Sequence, residues 1–148
     1  MAFMVDPSVV ATKLHQVEQY YGELQDKQHL SRKRFLTDIT EQRAVERMFE
    51  NTIQACIDLS KHIATTEFDY DGDSSKQAVE VLEANGVIRN ETATTLKDAV
   101  GFRNLLAHEY GRVNPDNVYQ YLQTDLRLYD EFSQQVASWV DEHGLESE

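Results

Sequence analysis

The sequence predicts an all-α protein, an antiparallel bundle of about five helices. Apolar residues recur at steps of three and four along nearly the whole chain, which is the period of a helix with one buried face. Turn and cap residues interrupt this pattern, and no stretch shows the alternation of a paired strand. With 148 residues, 41% of them hydrophobic, we expect residues 1–148 to form a single domain around one core.

The first two helices are predicted from cap residues and long apolar stripes. Asp6 and Pro7 have the residue types of an N-cap and a first helical position. Apolar side chains follow at helical spacing, at Val10, Leu14, Val17, Tyr21 and Leu24. The second helix is predicted from about Ser31 to Thr65, a stretch without glycine or proline.

Three further helices complete the predicted bundle. A short helix is expected over about Ser75–Ala84, with Gly86 as its stop. Asn90 is predicted to cap the next helix, which is expected to end at Gly111. Pro115, preceded by an asparagine, starts the last helix.

The composition limits the classes of function. Net charge is −12, from 26 acidic and 14 basic residues, so the average field repels nucleic acid and anionic membranes. Any activity on RNA must then depend on local cations. The basic run "SRKRF" (31–35) is more typical of a solvated helix start.

The single cysteine, Cys56, excludes an intramolecular disulfide, and the sequence predicts no metal site and no cofactor. No signal peptide or membrane span is predicted, and we expect a cytoplasmic protein.

One stretch, "RNLLAHEYGR" (103–112), combines polar residue types that can do chemistry. On an ideal helix Arg103 and Tyr110 return to within roughly 20° of each other, and Asn104 and His108 face one way and could hydrogen-bond. Arg103 and His108 differ by roughly 140° on the same geometry. Either the long arginine side chain sweeps around the helix, or another element or subunit completes the site.

Arginine and histidine together suit RNA cleavage by the RNA's own 2′-hydroxyl. Histidine exchanges a proton near neutral pH, and the arginine fork matches a phosphate. The nucleophile is already beside the phosphorus, so proton transfer and charge stabilisation are all that the protein must supply. The alternative interpretation is structural, because a histidine near a helix C-terminus commonly complements the helix dipole.

The residues around this motif resemble a known family. "FRNLLAHEYGRVNPDNVYQYL" is similar to the RxxxxHxY signature of HEPN ribonuclease toxins of HepT type, and "DITEQRAVERMFENTIQACIDLSKHIA" (38–64) is similar to their second helix. The resemblance implies a HEPN-like helical bundle that pairs as a homodimer and cuts RNA without metal in a cleft between the subunits.

The resemblance also assigns roles to single residues. Arg103 and His108 match the catalytic pair, and Asn104 matches a polar position that supports the site. Tyr110 matches the tyrosine to which a cognate MNT-type nucleotidyltransferase antitoxin adds AMP. The implied partners are thus a second copy, this antitoxin and RNA. Two other interpretations stay open: a catalytically silent HEPN module that binds nucleotide or docks a nucleotidyltransferase, and a helical scaffold that only assembles.

Overall fold

The computed structural model describes residues 4–108 and 113–146. In this part of the chain, short connections join seven helices, which are α1 (Pro7–Lys27), α2 (Arg32–Thr37), α3 (Ile39–Glu67), α4 (Ser75–Ala84), α5 (Asn90–His108), α6 (Pro115–Thr124) and α7 (Arg127–Glu146). The described residues contain no strand. The all-α prediction is therefore confirmed.

Two of the predicted long helices are each divided into two. The helix expected over about residues 31–65 is broken at Asp38, whose backbone is extended (φ −121°, ψ 99°) and whose carboxylate accepts a hydrogen bond from the Glu41 backbone N–H. The expected last helix is broken after Asp125, between α6 and α7. At the first break the reason is local, because the aspartate side chain satisfies a free N–H at the start of α3.

The remaining helix ends follow the sequence more closely. Asp6 caps α1 by accepting from the Ser8 N–H at 2.9 Å, and Asn114 caps α6. After α4, Gly86 adopts a left-handed backbone (φ 75°), as its predicted role as a stop requires. Asn90 is not a cap: it is the first residue of α5, and its side-chain amide donates to the Glu83 carboxylate.

Contacts at both ends of α1 and α3 show that these helices run antiparallel. Lys27, at the end of α1, forms an ion pair of 2.9 Å with Glu41 near the start of α3. The Met4 backbone N–H, before α1, donates to the carboxylate of Glu67 at the end of α3. Helix α3 is the centre of the bundle and packs against α1, α4 and α5.

The core is a continuous cluster of apolar side chains from all seven described helices. Its largest fully buried members are Phe35, Phe49, Phe132, Leu24, Ile53, Ile57, Leu59, Ile63, Leu82, Leu96, Leu106 and Leu122. Burial of apolar surface on this scale is the main stabilising contribution to the fold. Among the described helices, none has an apolar stretch of the length that a bilayer crossing requires.

Candidate active site

Helix α5 carries the predicted catalytic residues, and aromatic packing fixes its C-terminal half. The Phe102 ring meets the Phe49 ring edge-on, with centroids 5.5 Å apart, and lies 4.8 Å from the Tyr121 ring of α6. One turn further on, Leu106 is 2% exposed in the core. Because Phe102 and Leu106 face inward, the residues between and after them are presented at the surface.

The polar residues of the motif stand on this anchored segment. Arg103 is half-buried as a residue, and its guanidinium donates to the side-chain oxygen of the exposed Asn104 at 3.2 Å. His108 is exposed and is the last residue of α5. The sequence allowed a bond between Asn104 and His108, but within the described residues Asn104 bonds to Arg103 instead. The asparagine can thereby orient the guanidinium.

Arg103 and His108 are not hydrogen-bonded to each other in the part of the chain described. Five positions separate them on one regular helix, so their side chains leave it in directions roughly 140° apart. Tyr110 and Gly111, also singled out from the sequence, lie outside the described residues.

Two lysines that the sequence patterns did not indicate lie on the same side of α5 as Asn104 and His108. Lys97 precedes Asn104 by seven positions and His108 by eleven, which places all three on one helical face. Between them Gly101 leaves room, and a Cβ there would be 4.0 Å from the Lys76 ammonium of α4. Of the two lysines, only Lys97 could have been placed on this face from the sequence, because it lies on the same helix as Asn104 and His108.

The basic run 31–35 is largely engaged in structural contacts. Arg32 forms an ion pair with Asp116 and lies 5.8 Å from the centre of the Tyr119 ring. Arg34 pairs with Asp38 at 3.3 Å. These contacts agree with the interpretation of the run as a solvated helix start. Near α5, Lys97 is likewise paired, with Glu80 of α4 at 3.4 Å.

No group of three or more His, Cys, Asp or Glu side chains within 4–108 and 113–146 is arranged to hold a metal ion. The described part of the candidate site contains one fixed cation, one amide and one imidazole on α5. Such a set can bind a phosphate and exchange a proton.

Comparison with known proteins assigns the family. Residues 14–136, most of the chain, match the family described as HepT-like ribonucleases. The chain belongs to this family. The resemblance inferred from the motif is thus confirmed, and the chain is classed with nucleases.

Individual HepT relatives cover most of the chain. It is 24% identical to the tRNA nuclease HepT of Aphanizomenon flos-aquae, over 92% of each protein. It is 28% identical to the mRNA nuclease HepT of Shewanella oneidensis, over 80% of this chain and 84% of that one. A similar solved structure is the tri-AMPylated Shewanella oneidensis HEPN toxin in complex with MNT antitoxin, with a TM-score of 0.81, 24% identity, and 90% and 99% of the two chains covered. This structural likeness supports the HEPN fold.

Proposed function

We propose that this protein is the toxin of a bacterial toxin–antitoxin pair, a metal-independent endoribonuclease. The observation that carries the proposal is the family membership together with the motif Arg103…His108 at the exposed end of α5. Relatives named as a tRNA nuclease and an mRNA nuclease support RNA as the substrate class and differ in the kind of RNA.

In the proposed reaction the 2′-hydroxyl of RNA loses its proton to a histidine and attacks the adjacent phosphorus. The new O–P bond forms as the P–O5′ bond breaks, which leaves a 2′,3′-cyclic phosphate. The departing 5′-oxygen takes a proton from a general acid. Arg103 would hold the phosphate oxygens and stabilise their charge, with Asn104 positioning its guanidinium.

The reaction needs a base and an acid, and each subunit offers one histidine in the motif. We therefore propose a homodimer in which two copies of the α5 end face one cleft. This arrangement would also bring an arginine near a histidine despite their divergence on one helix. Lys76, whose ammonium lies 4.0 Å from the Cβ position of Gly101, would supply local positive charge against the net charge of −12, whereas the charge of Lys97 is paired with Glu80.

Regulation by AMP addition is proposed at Tyr110. A cognate MNT-type nucleotidyltransferase would transfer AMP from a nucleoside triphosphate to the phenol oxygen and release pyrophosphate. The added nucleotide brings bulk and negative charge two positions beyond His108, which would block RNA and compete for Arg103. Support comes from the solved HEPN toxin complex, which is AMPylated.

The decisive experiment is cleavage of total RNA in EDTA by purified, unmodified protein. We expect the wild type to cut, leaving cyclic or 3′-phosphate ends. Arg103→Ala and His108→Ala should each lose at least about a hundredfold in rate, the usual contribution of a charge-stabilising donor for the arginine and of a general acid or base for the histidine. Lys33→Ala, an exposed cation away from α5, is the control and should keep full activity. Equal cutting by all variants would refute the assignment.

A second experiment tests the modification. After coexpression with the partner nucleotidyltransferase, the intact mass should rise in steps of one AMP, and Tyr110→Phe should show no rise. A rise that persists in Tyr110→Phe would move the modification elsewhere. If an AMP-free dimer cuts no RNA and the complex with the nucleotidyltransferase still forms, the protein is the catalytically silent docking module.

A further inference from the structure

A cavity of about 270 Å³ opens between α5, α6 and α7. Its face of α5 points away from Asn104 and His108 and borders that of Arg103, which follows the lining residue Ala99 by four positions. Its α5 wall consists of residues spaced by three and four, among them Asp98 and Phe102. Tyr121, Asp125 and Tyr129 close the opposite side. Phe102 and Tyr121 anchor the end of α5, and none of the polar lining residues has a part in the proposed cleavage.

The walls of this cavity are aromatic and its charge is negative. Phe102 and Tyr121 lie with their ring centres 4.8 Å apart and form one apolar surface. Asp98 and Asp125 have no ion-pair partner among the described residues, whereas the third lining carboxylate, Glu131, pairs with Arg127 at 3.2 Å. Carboxylates beside ring faces are the environment that an organic ammonium prefers.

A buried tyrosine at this cavity also lacks a hydrogen-bond partner. Tyr129 is 3% exposed, and its hydroxyl makes no hydrogen bond within residues 4–108 and 113–146. Burial, with smaller contributions from Cys56 and Asp125, raises the pKa of Tyr129, so the group stays neutral and able to accept or donate. The hydroxyl can therefore bond to a ligand that enters the cavity.

We propose that this cavity binds a small organic cation with two ammonium groups, held by the carboxylates of Asp98 and Asp125 and the hydroxyl of Tyr129. A metal ion fits less well, because the described acidic residues do not converge on one point. The cavity volume of about 270 Å³ lies at the small end of ligand sites, which favours a small ligand such as a short linear diamine. The proposal does not depend on the nuclease activity.

Calorimetric titration of the purified full-length protein with putrescine tests this site. We expect saturable one-to-one binding, weakened about tenfold by Asp98→Asn or by Asp125→Asn, the change expected when a hydrogen bond to a charged group is lost. Tyr129→Phe should weaken binding several-fold without lowering the melting temperature, because its hydroxyl has no protein partner in the described chain. Butanediol, of similar length but uncharged, should not bind.

The control must account for the general attraction of a chain of charge −12 for any polycation. Asp141→Asn removes the same charge from an exposed position of α7 outside the cavity. It should leave the affinity for putrescine unchanged. Equal weakening by Asp141→Asn, or no saturable binding by the wild type, would overturn the proposal. So would amide NMR shifts that avoid Thr95, Ala99 and Leu128, which line the cavity.

Discussion

Phe102 links the core to the residues that we propose as catalytic. Its ring packs between Phe49 of α3 and Tyr121 of α6, directly before Arg103 in the sequence. The position of the guanidinium therefore depends on an aromatic contact as well as on Asn104. The contacts of Phe102 with Phe49 and Tyr121 join three helices, and no local sequence pattern predicts them.

We predict that Phe102→Ala lowers the free energy of unfolding by about 2–4 kcal/mol. This is less than the loss of a fully buried aromatic side chain usually costs, because Phe102 is half-buried. Phe102→Leu should cost about 1 kcal/mol, since most of the volume is kept. Urea denaturation followed by circular dichroism measures both. An unfolding midpoint for Phe102→Ala equal to that of the wild type would contradict the anchoring role.

The helices themselves depend on a few end residues. Gly86 ends α4 with φ 75°, a conformation in which a side chain is strained, although a Cβ there would meet no atom within 4 Å. Gly22 lies inside α1 in ordinary helical conformation, and a Cβ added to it would also meet no atom within 4 Å. Both positions therefore have room for a Cβ atom, but their backbone conformations differ.

Alanine substitutions at Gly86 and Gly22 should therefore change the free energy of unfolding in opposite directions. Gly86→Ala should lower the free energy of unfolding by about 1 kcal/mol, because the left-handed region is unfavourable for alanine. Gly22→Ala should raise it by about 0.5–1 kcal/mol, because alanine is the better helix former. Thermal unfolding of the two variants is the measurement. A stabilising Gly86→Ala would show that the turn after α4 can change its conformation.

Asp38 separates α2 from α3, and its ionisation is linked to stability. The hydrogen bond from the Glu41 N–H, followed by smaller effects including Arg34, lowers the pKa of Asp38. Because the pKa of Asp38 is lower in the folded state than in the unfolded state, its charged carboxylate stabilises the fold at pH values above the unfolded-state pKa. This contribution is lost as the pH falls through the lowered value.

We accordingly expect the wild type to lose more stability than Asp38→Asn when the pH is reduced from about 5 to about 2.5. Asparagine keeps an N-cap oxygen and cannot titrate. Melting temperatures across this range test the difference, with Asp58→Asn on the same helix as the charge-matched control. Parallel curves for wild type and Asp38→Asn would show that the cap contributes no pH dependence.

For the whole molecule, the proposed mechanism requires two copies. Arg103 and His108 diverge on one helix, and a single motif supplies only one histidine for two proton transfers. With a chain mass of 17.1 kDa, light scattering at micromolar concentration should give twice that value, about 34 kDa. A monomer that cuts RNA at full rate would contradict the two-subunit cleft.

The sequence alone determined the all-α class, most helix starts and the family, because helical periodicity, cap residues and the motif at 103–110 are local patterns. It could not show that Asp38 breaks a long helix, since an aspartate is tolerated inside helices and its capping bond forms only in the folded chain. It also missed Lys76 beside α5 and the cavity at Asp98 and Tyr129. These sites join residues that are distant in sequence, and only the packing of α4, α6 and α7 against α5 brings them together.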